Sequence, residues 1–150
     1  MTTKPRILIV TPEVTYLPEG MGDESNYSAK AGGLADVSAA LISALFDLHC
    51  DVHVAIPDYR SIFNGVSTKT HNSELAKIRK RLDDERIHLA ADRAFYYLDN
   101  VYSGYSDKDL MVSLAFQREV INNIIPRVNP DIIHCNDWMT GLIPAMARYM

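Results

Sequence analysis

The run RILIV, Arg6 to Val10, narrows what this chain can fold into more than any other stretch. After Arg6 it is short, continuously apolar and rich in β-branched residues, with no polar position alternating through it. A strand of that kind has no face to offer to water. It belongs in the middle of a sheet covered on both sides, which points to a parallel arrangement. The chain is long enough for one such sheet. With 150 residues, 47% hydrophobic and 23% charged, it has the composition of a single globular domain able to bury a core.

The rest of the pattern agrees with that class. About nineteen residues follow, Thr11 to Ala29, with Pro12, Pro18, Gly20 and Gly22 and neither periodicity. They read as a long loop at a strand end, a frequent place for function. From Leu34 the spacing of Leu34, Val37, Leu41, Leu45 and Leu48 predicts a helix ending near His49, with those residues on its inner face. DVHVAIP predicts a second strand closed by Pro57. SELAKIRKRLDDER puts Leu75, Ile78 and Leu82 on one side of a charged surface helix or segment. AFYYLD reads as a third strand. DLMVSLAFQREVINNIIPRV reads as a helix with Leu114, Ile121, Ile124 and Val128 inward, kinked or ended at Pro126. PDIIHC reads as a fourth strand, and DWMTGLIPAMARYM as a helix start cut off at Met150. The order predicts a Rossmann-like, doubly wound parallel α/β sheet with right-handed crossovers. In such sheets ligands bind beyond the carboxyl ends of the strands, so the segments after Val10 and after Ile133 are the places to search.

Charge and cysteine content exclude several classes. A net charge of −4 and a pI near 5.7 argue against a protein that grips nucleic acid or an anionic membrane. Cys50 and Cys135 are too few for a disulfide framework, and no Cys or His lies at zinc-ligand spacing around them. The apolar run after the basic amino terminus is too short for a signal peptide, and no segment approaches a membrane span, so a cytoplasmic location is expected.

The first loop closes on KAGGLADV. A glycine pair between a central strand and a helix lets a ligand approach the backbone. It is expected to leave the N–H groups of Gly32, Gly33 and Leu34 pointing outward at the positive end of the helix dipole. Lys30 adds a mobile cation. The stretch is neither a Walker A loop nor G-x-G-x-x-G, so the residues alone leave two readings open: an anion site, or a plain turn with a solvated lysine.

KAGGLADVSAAL closely resembles the K-x-G-G-L-A-D-V motif of bacterial glycogen synthases and plant starch synthases. ILIVTPEV resembles the first strand of that family, and DIIHCNDWMTGLIPA resembles its H-x-H-D-W-H-[TA]-G-L-[AI]-P motif. The three segments come in the family's order and span Ile7 to Ala145. The resemblance implies a glycosyltransferase of the GT-B arrangement, with two facing Rossmann-like domains. It implies glucose transfer from a nucleotide sugar, usually ADP-glucose, to the non-reducing end of an α-1,4-glucan with retention, without metal or other cofactor. It assigns Lys30, Gly32 and Gly33 to the sugar-nucleotide phosphates and makes Asp137 the catalytic-site aspartate of the H-D-W motif. Tyr105 in GYSD corresponds to an aromatic residue that approaches the sugar in the family. Taken alone, Asp137 at a strand end reads first as a helix cap, and the resemblance reverses that order. Trp138 reads as a sugar platform or a core residue, and His134 as packed at the strand end. Asn136 and Met139 depart from the family, which often has histidine at both positions. The loop from Val14 to Ala29 is longer than usual before the lysine; it reads either as flanking the glucan acceptor or as a surface insertion.

The family's amino-terminal domain is longer than this chain, and its carboxyl-terminal, nucleotide-binding domain has no counterpart here. Residues 1–150 are therefore expected to be part of the amino-terminal domain and to be inactive alone. Two other readings stay open: a retaining GT-B transferase using a UDP-sugar, and a non-catalytic α/β phosphate-binding module. The sequence leaves the oligomeric state undetermined.

Overall fold

The computed structural model describes residues 4–22, 28–64, 84–104 and 107–150. Four strands, β1 (Arg6–Val10), β2 (Asp51–Pro57), β3 (Ile87–Ala90) and β4 (Ile132–Cys135), form one parallel sheet in the order β3-β2-β1-β4. The register sets Arg6 beside Asp51 and Ile7 beside Ile132. Helix α1 (Gly33–Asp47) joins β1 to β2 and packs on one face of the sheet. The other face is covered by α3 (Arg93–Tyr96), α4 (Asp107–Glu119) and α5 (Ile125–Val128), with α2 (Arg60–Asn64) beyond β2. This is the Rossmann-like α/β class that the sequence predicts.

Alternation along the strands divides the core in two. Leu8, Val10 and Ala55 pack with Phe95, Phe116, Val120 and Ile124 on the α4 side. Ile9, Val52, Val54 and Ile56 pack with Ala39 and Ile42 on the α1 side. Both faces of β1 are covered, which is why no polar residue follows Arg6 within the strand. The chain winds outward from β1 in both directions, so the β1/β4 junction is the topological switch point, where the carboxyl ends of two neighbouring strands leave a crevice.

Several elements differ from the sequence expectation. The third strand is Ile87–Ala90, paired with Val54–Pro57, and AFYY lies mostly in α3. The Asp92 carboxylate caps α3 by accepting the Ala94 N–H at 2.8 Å, a local bond that outweighs the strand preference of the aromatics. In α1 the buried stripe is Ala35, Ser38, Ala39 and Ile42, while Val37 and Leu48 are 63% and 65% exposed. Small residues let the helix lie close to the sheet and form the centre of its buried face, while Leu41 and Leu45, half-buried, pack at the edge of the same core as expected. The helix ends with His49 in the left-handed region at φ 55°. His49 and Cys50 donate back to Phe46 and Leu45, the bonding pattern of a Schellman cap without glycine.

Pro126 neither ends nor breaks its helix. The turn before it widens into a π segment, Val120–Ile124, in which the Ile125 N–H reaches back to Val120. The wider turn accommodates a ring that has no N–H and would crowd the preceding carbonyls. Ile124 and Val128 are buried as expected and Ile121 is half-buried, but Leu114 is exposed. The final segment opens as a 3-10 turn (Trp138–Thr140), followed by the short helix α6 (Ile143–Ala147). Leu75, Ile78 and Leu82 lie outside the described residues; Asp84 to Arg86 form a turn into β3. Among the described residues no helix is long and apolar enough to cross a membrane, and Cys50 and Cys135 are free thiols.

Candidate functional site

A cavity of about 400 Å³ opens at the switch point. It is lined by Glu13, Gly32, Gly33, Leu34, Tyr102, Gly104, Asp109, Asp137 and Trp138. The first loop, the first turn of α1, the segment before α4 and the end of β4 all meet there.

Three residues with no role in the sequence reading organise it: Glu13, Tyr102 and Asp109. Glu13 is 2% exposed. Its Oε2 accepts the N–H groups of Ala31 at 2.7 Å and Gly32 at 3.0 Å. The expectation that the Gly32 N–H points outward is therefore corrected: a buried carboxylate has taken it, because both groups lose their water on burial and satisfy each other. Gly33 and Leu34 line the cavity, and their N–H groups, in the first turn of α1, have no preceding carbonyl in the helix to bond. The glycines themselves are informative. Neither has a positive φ, and a Cβ built on Gly32 or Gly33 would meet nothing within 4 Å. The fold does not require glycine at either position, and the missing side chains leave open space beside the cavity.

Tyr102 bridges two acids. Its hydroxyl lies 2.8 Å from Asp137 Oδ2 and 3.1 Å from Glu13 Oε1. One O–H hydrogen serves one of them at a time. Burial and the two neighbouring carboxylates, Asp137 first, raise the phenol's pKa far above its ordinary value, so the hydroxyl keeps its hydrogen. Asp109, 5% exposed, accepts from the N–H and hydroxyl of Ser103. Three carboxylates thus face one cavity, together with an indole that is 42% exposed. Acceptors that can take several hydroxyl hydrogens beside an aromatic face are suited to a polyhydroxylated ligand.

Asp137 is held in an uncommon backbone conformation, φ 72° and ψ 168°, a region that side chains other than glycine's seldom enter. It caps the 3-10 turn, accepting the Trp138 N–H at 2.7 Å, while its other oxygen takes Tyr102. The residue that caps the turn, as one sequence reading expected, is also one that lines the cavity. The strand end behind it is pinned: Asn136 donates its N–H to Val10 O at 2.9 Å and its Nδ2 to Ser38 Oγ at 3.1 Å, and Ser38 Oγ lies 3.0 Å from Thr11 Oγ1. Asn136 therefore ties β4 to β1 and α1. Met139 is buried in the core at 1% exposure, and Trp138 lines the cavity instead of packing beneath the turn. His134, expected to be packed, is exposed and hydrogen-bonded to Asn136 Oδ1, because β4 lies at an edge of the described sheet.

Lys30 does not line the cavity. Its Nζ forms a 2.7 Å ion pair with Asp36, which also accepts from Thr15 Oγ1 at 2.6 Å. These two donors, Lys30 first, hold the Asp36 carboxyl below its usual pKa range. Tyr105 lies outside the described residues. The long loop is more than a surface insertion: Val14 and Ala29 pair in an antiparallel bridge, and both are buried, as is Met21.

Two comparisons bear on this site. The family model described as "Starch synthase catalytic domain" matches residues 6–150. A glycogen synthase of Moorella thermoacetica is 36% identical, over 95% of this chain and 29% of its own length. A glycogen synthase of Vibrio vulnificus is 35% identical, over 99% of this chain and 31% of its own length. The chain thus spans about three-tenths of these curated relatives.

Proposed function

This chain belongs to the starch synthase catalytic domain family, and on that premise we propose that it forms one wall of the active site of a retaining glycosyltransferase. The proposed reaction moves glucose from ADP-glucose to the non-reducing end of an α-1,4-glucan. The observation that carries this reading is the cavity at the switch point, where acids and an indole face open space left by two glycines.

The chemistry divides the cavity. Asp137 and Asp109 accept sugar hydroxyls and Trp138 offers a face to the ring; a sugar contact by Tyr105 rests on the family resemblance. The donor diphosphate approaches where Gly32 and Gly33 carry no side chain and bonds the Gly33 and Leu34 N–H groups, which have no helical carbonyl of their own. Negative charge grows on the departing diphosphate during transfer, and donors already in place stabilise the transition state more than the ground state. Lys30 joins them by exchanging Asp36 for a phosphate oxygen. The nucleotide base is held by sequence outside these 150 residues, so the isolated chain does not turn over.

The test is glucose incorporation into glycogen by the full-length protein, supplied separately with ADP-glucose and UDP-glucose. Incorporation from ADP-glucose is expected, with none from the isolated chain. Incorporation from UDP-glucose alone would replace the donor, and none from either would overturn the transferase reading. Lys30→Ala is expected to raise the donor KM, to lower kcat, or both. If neither changes, the lysine has no phosphate role.

A further inference from the structure

A second polar cluster lies at the opposite, amino-terminal edge of the sheet. It joins Asp51 and His53 of β2, His88 of β3, Arg6 of β1 and Arg127 of α5. The two imidazoles stack with centroids 5.2 Å apart and planes 21° apart. Arg127 Nη2 lies 3.3 Å from His88 Nδ1, His88 Nε2 lies 2.9 Å from His53 Nδ1, and His53 Nε2 lies 3.1 Å from Asp51 Oδ1. The second oxygen of Asp51 accepts Arg6 Nε at 2.7 Å.

The chemistry of the two ends fixes every hydrogen between them. A guanidinium only donates and a carboxylate only accepts. His88 Nδ1 must therefore be bare to receive Arg127, its Nε2 carries the hydrogen given to His53 Nδ1, and His53 Nε2 carries the hydrogen given to Asp51. Both rings are neutral, and both are the Nε2–H tautomer. We propose that this chain is a proton-operated latch, in which the imidazole pair holds Arg127 only while both rings are uncharged.

The consequence of adding one proton does not depend on which ring receives it. If His88 becomes the cation, its Nδ1–H faces the guanidinium. If His53 becomes the cation, it keeps Asp51 and donates to His88 Nε2, which moves the His88 hydrogen to Nδ1 and again opposes Arg127. In both states the His53–His88 and His53–Asp51 bonds survive and the Arg127 contact is lost.

The surrounding charges agree. Besides Asp51 and Arg127, the rings are faced by Arg6 from β1 and by Asp84, Glu85 and Arg86 from the turn before β3, where Asp84 and Arg86 pair at 2.8 Å. Burial, then His53 and Arg127, push His88 down to about 4, with Asp84 opposing. A cavity of about 640 Å³ beside the rings gives the released guanidinium room. Arg6 Nη1 still donates to Val128 O at 2.9 Å, so α5 stays attached to β1 after release. The latch thus controls one side chain at the far end of the α4–π–α5 helix, whose first turn carries Asp109 to the candidate cavity.

Long-range ¹H–¹⁵N correlation of the imidazoles in the labelled 150-residue chain tests this. At about pH 7.5, where ordinary histidines are mostly neutral, both Nδ1 atoms are expected bare and both Nε2 atoms protonated. A hydrogen on His88 Nδ1 at that pH would overturn the latch. Arg127→Met removes an exposed side chain and is expected to raise the His88 midpoint by roughly half a unit or more. A midpoint unchanged in that variant would also overturn it.

Discussion

The two ends of this sheet both carry charged side chains and use them in opposite ways. At the amino-terminal edge Arg6, Asp51, Asp84, Arg86 and the two imidazoles are matched partner to partner across strands and turns. At the carboxyl edge Glu13, Asp109 and Asp137 face one cavity, and a single tyrosine hydrogen stands between two of them. Asp137 is moreover held in a strained backbone conformation. A fully paired end holds the sheet together. The end where carboxylates of one sign gather around an open cavity, one of them on strained backbone, is the end to which the proposed function assigns the ligand.

The sharpest break of this comparison is Asp137→Asn in the full-length protein. It keeps an oxygen for the cap but loses the charge, and transfer is expected to fall about a hundredfold or more in kcat/KM with Tm nearly unchanged. A large fall in Tm with activity retained would make the carboxyl edge structural. Glu13→Ala strips the partner from two backbone N–H groups and from one acceptor contact of Tyr102, and is expected to cost roughly 3 kcal/mol in urea unfolding. A loss below roughly 1 kcal/mol would mean that water replaces the carboxylate.

At the paired end the effects depend on pH. Arg86 holds Asp84 down to about 2, from an ordinary 3.8. A carboxyl depressed in the folded state stabilises the fold above its ordinary value and loses that contribution as pH falls from roughly 4 to 2, with a ceiling of about 2 kcal/mol. Asp84→Asn is expected to remove that step from stability measured against pH. His88, lowered from 6.5 to about 4, binds its proton more readily when unfolded. Its contribution is complete above 6.5 and is lost between 6.5 and 4, so the acid limb has two parts. The smallest effect concerns Tyr59, wholly buried with a hydroxyl that has no partner among the described residues. Tyr59→Phe is expected to add up to about 1 kcal/mol of stability, since it removes an unpaired polar atom.

Much of the frame was legible because it is encoded locally. Period and length located β1, β2, β4, α1 and the long helix before β4, and the glycine pair marked where α1 starts. The misses have physical causes. AFYY has the composition of a strand, but Asp92 caps it into a helix. The leucines of α1 look like its core face, but Ala35 and Ala39 pack closer to the sheet. In the site, Asp137 and the glycines stood out through their motifs. Glu13 stands three residues past β1, and its role is not readable from its neighbours in the chain because its partners are 18 and 89 residues away. Its position just beyond a central strand was the available signal. Lys30 was legible as a cation, while its pairing with Asp36 depends on how the loop meets the helix.

The sequence by itself determined the sheet class, the switch-point loops and the family, because periodicity and contiguous motifs survive without a third dimension. Only the tertiary structure decided which glycine N–H groups remain available, that one tyrosine sits between two acids, and that two histidines share a hydrogen between an arginine and an aspartate. Those outcomes depend on distances of about 3 Å between residues far apart in the chain. Burial makes each unpaired donor or acceptor costly enough to fix the arrangement.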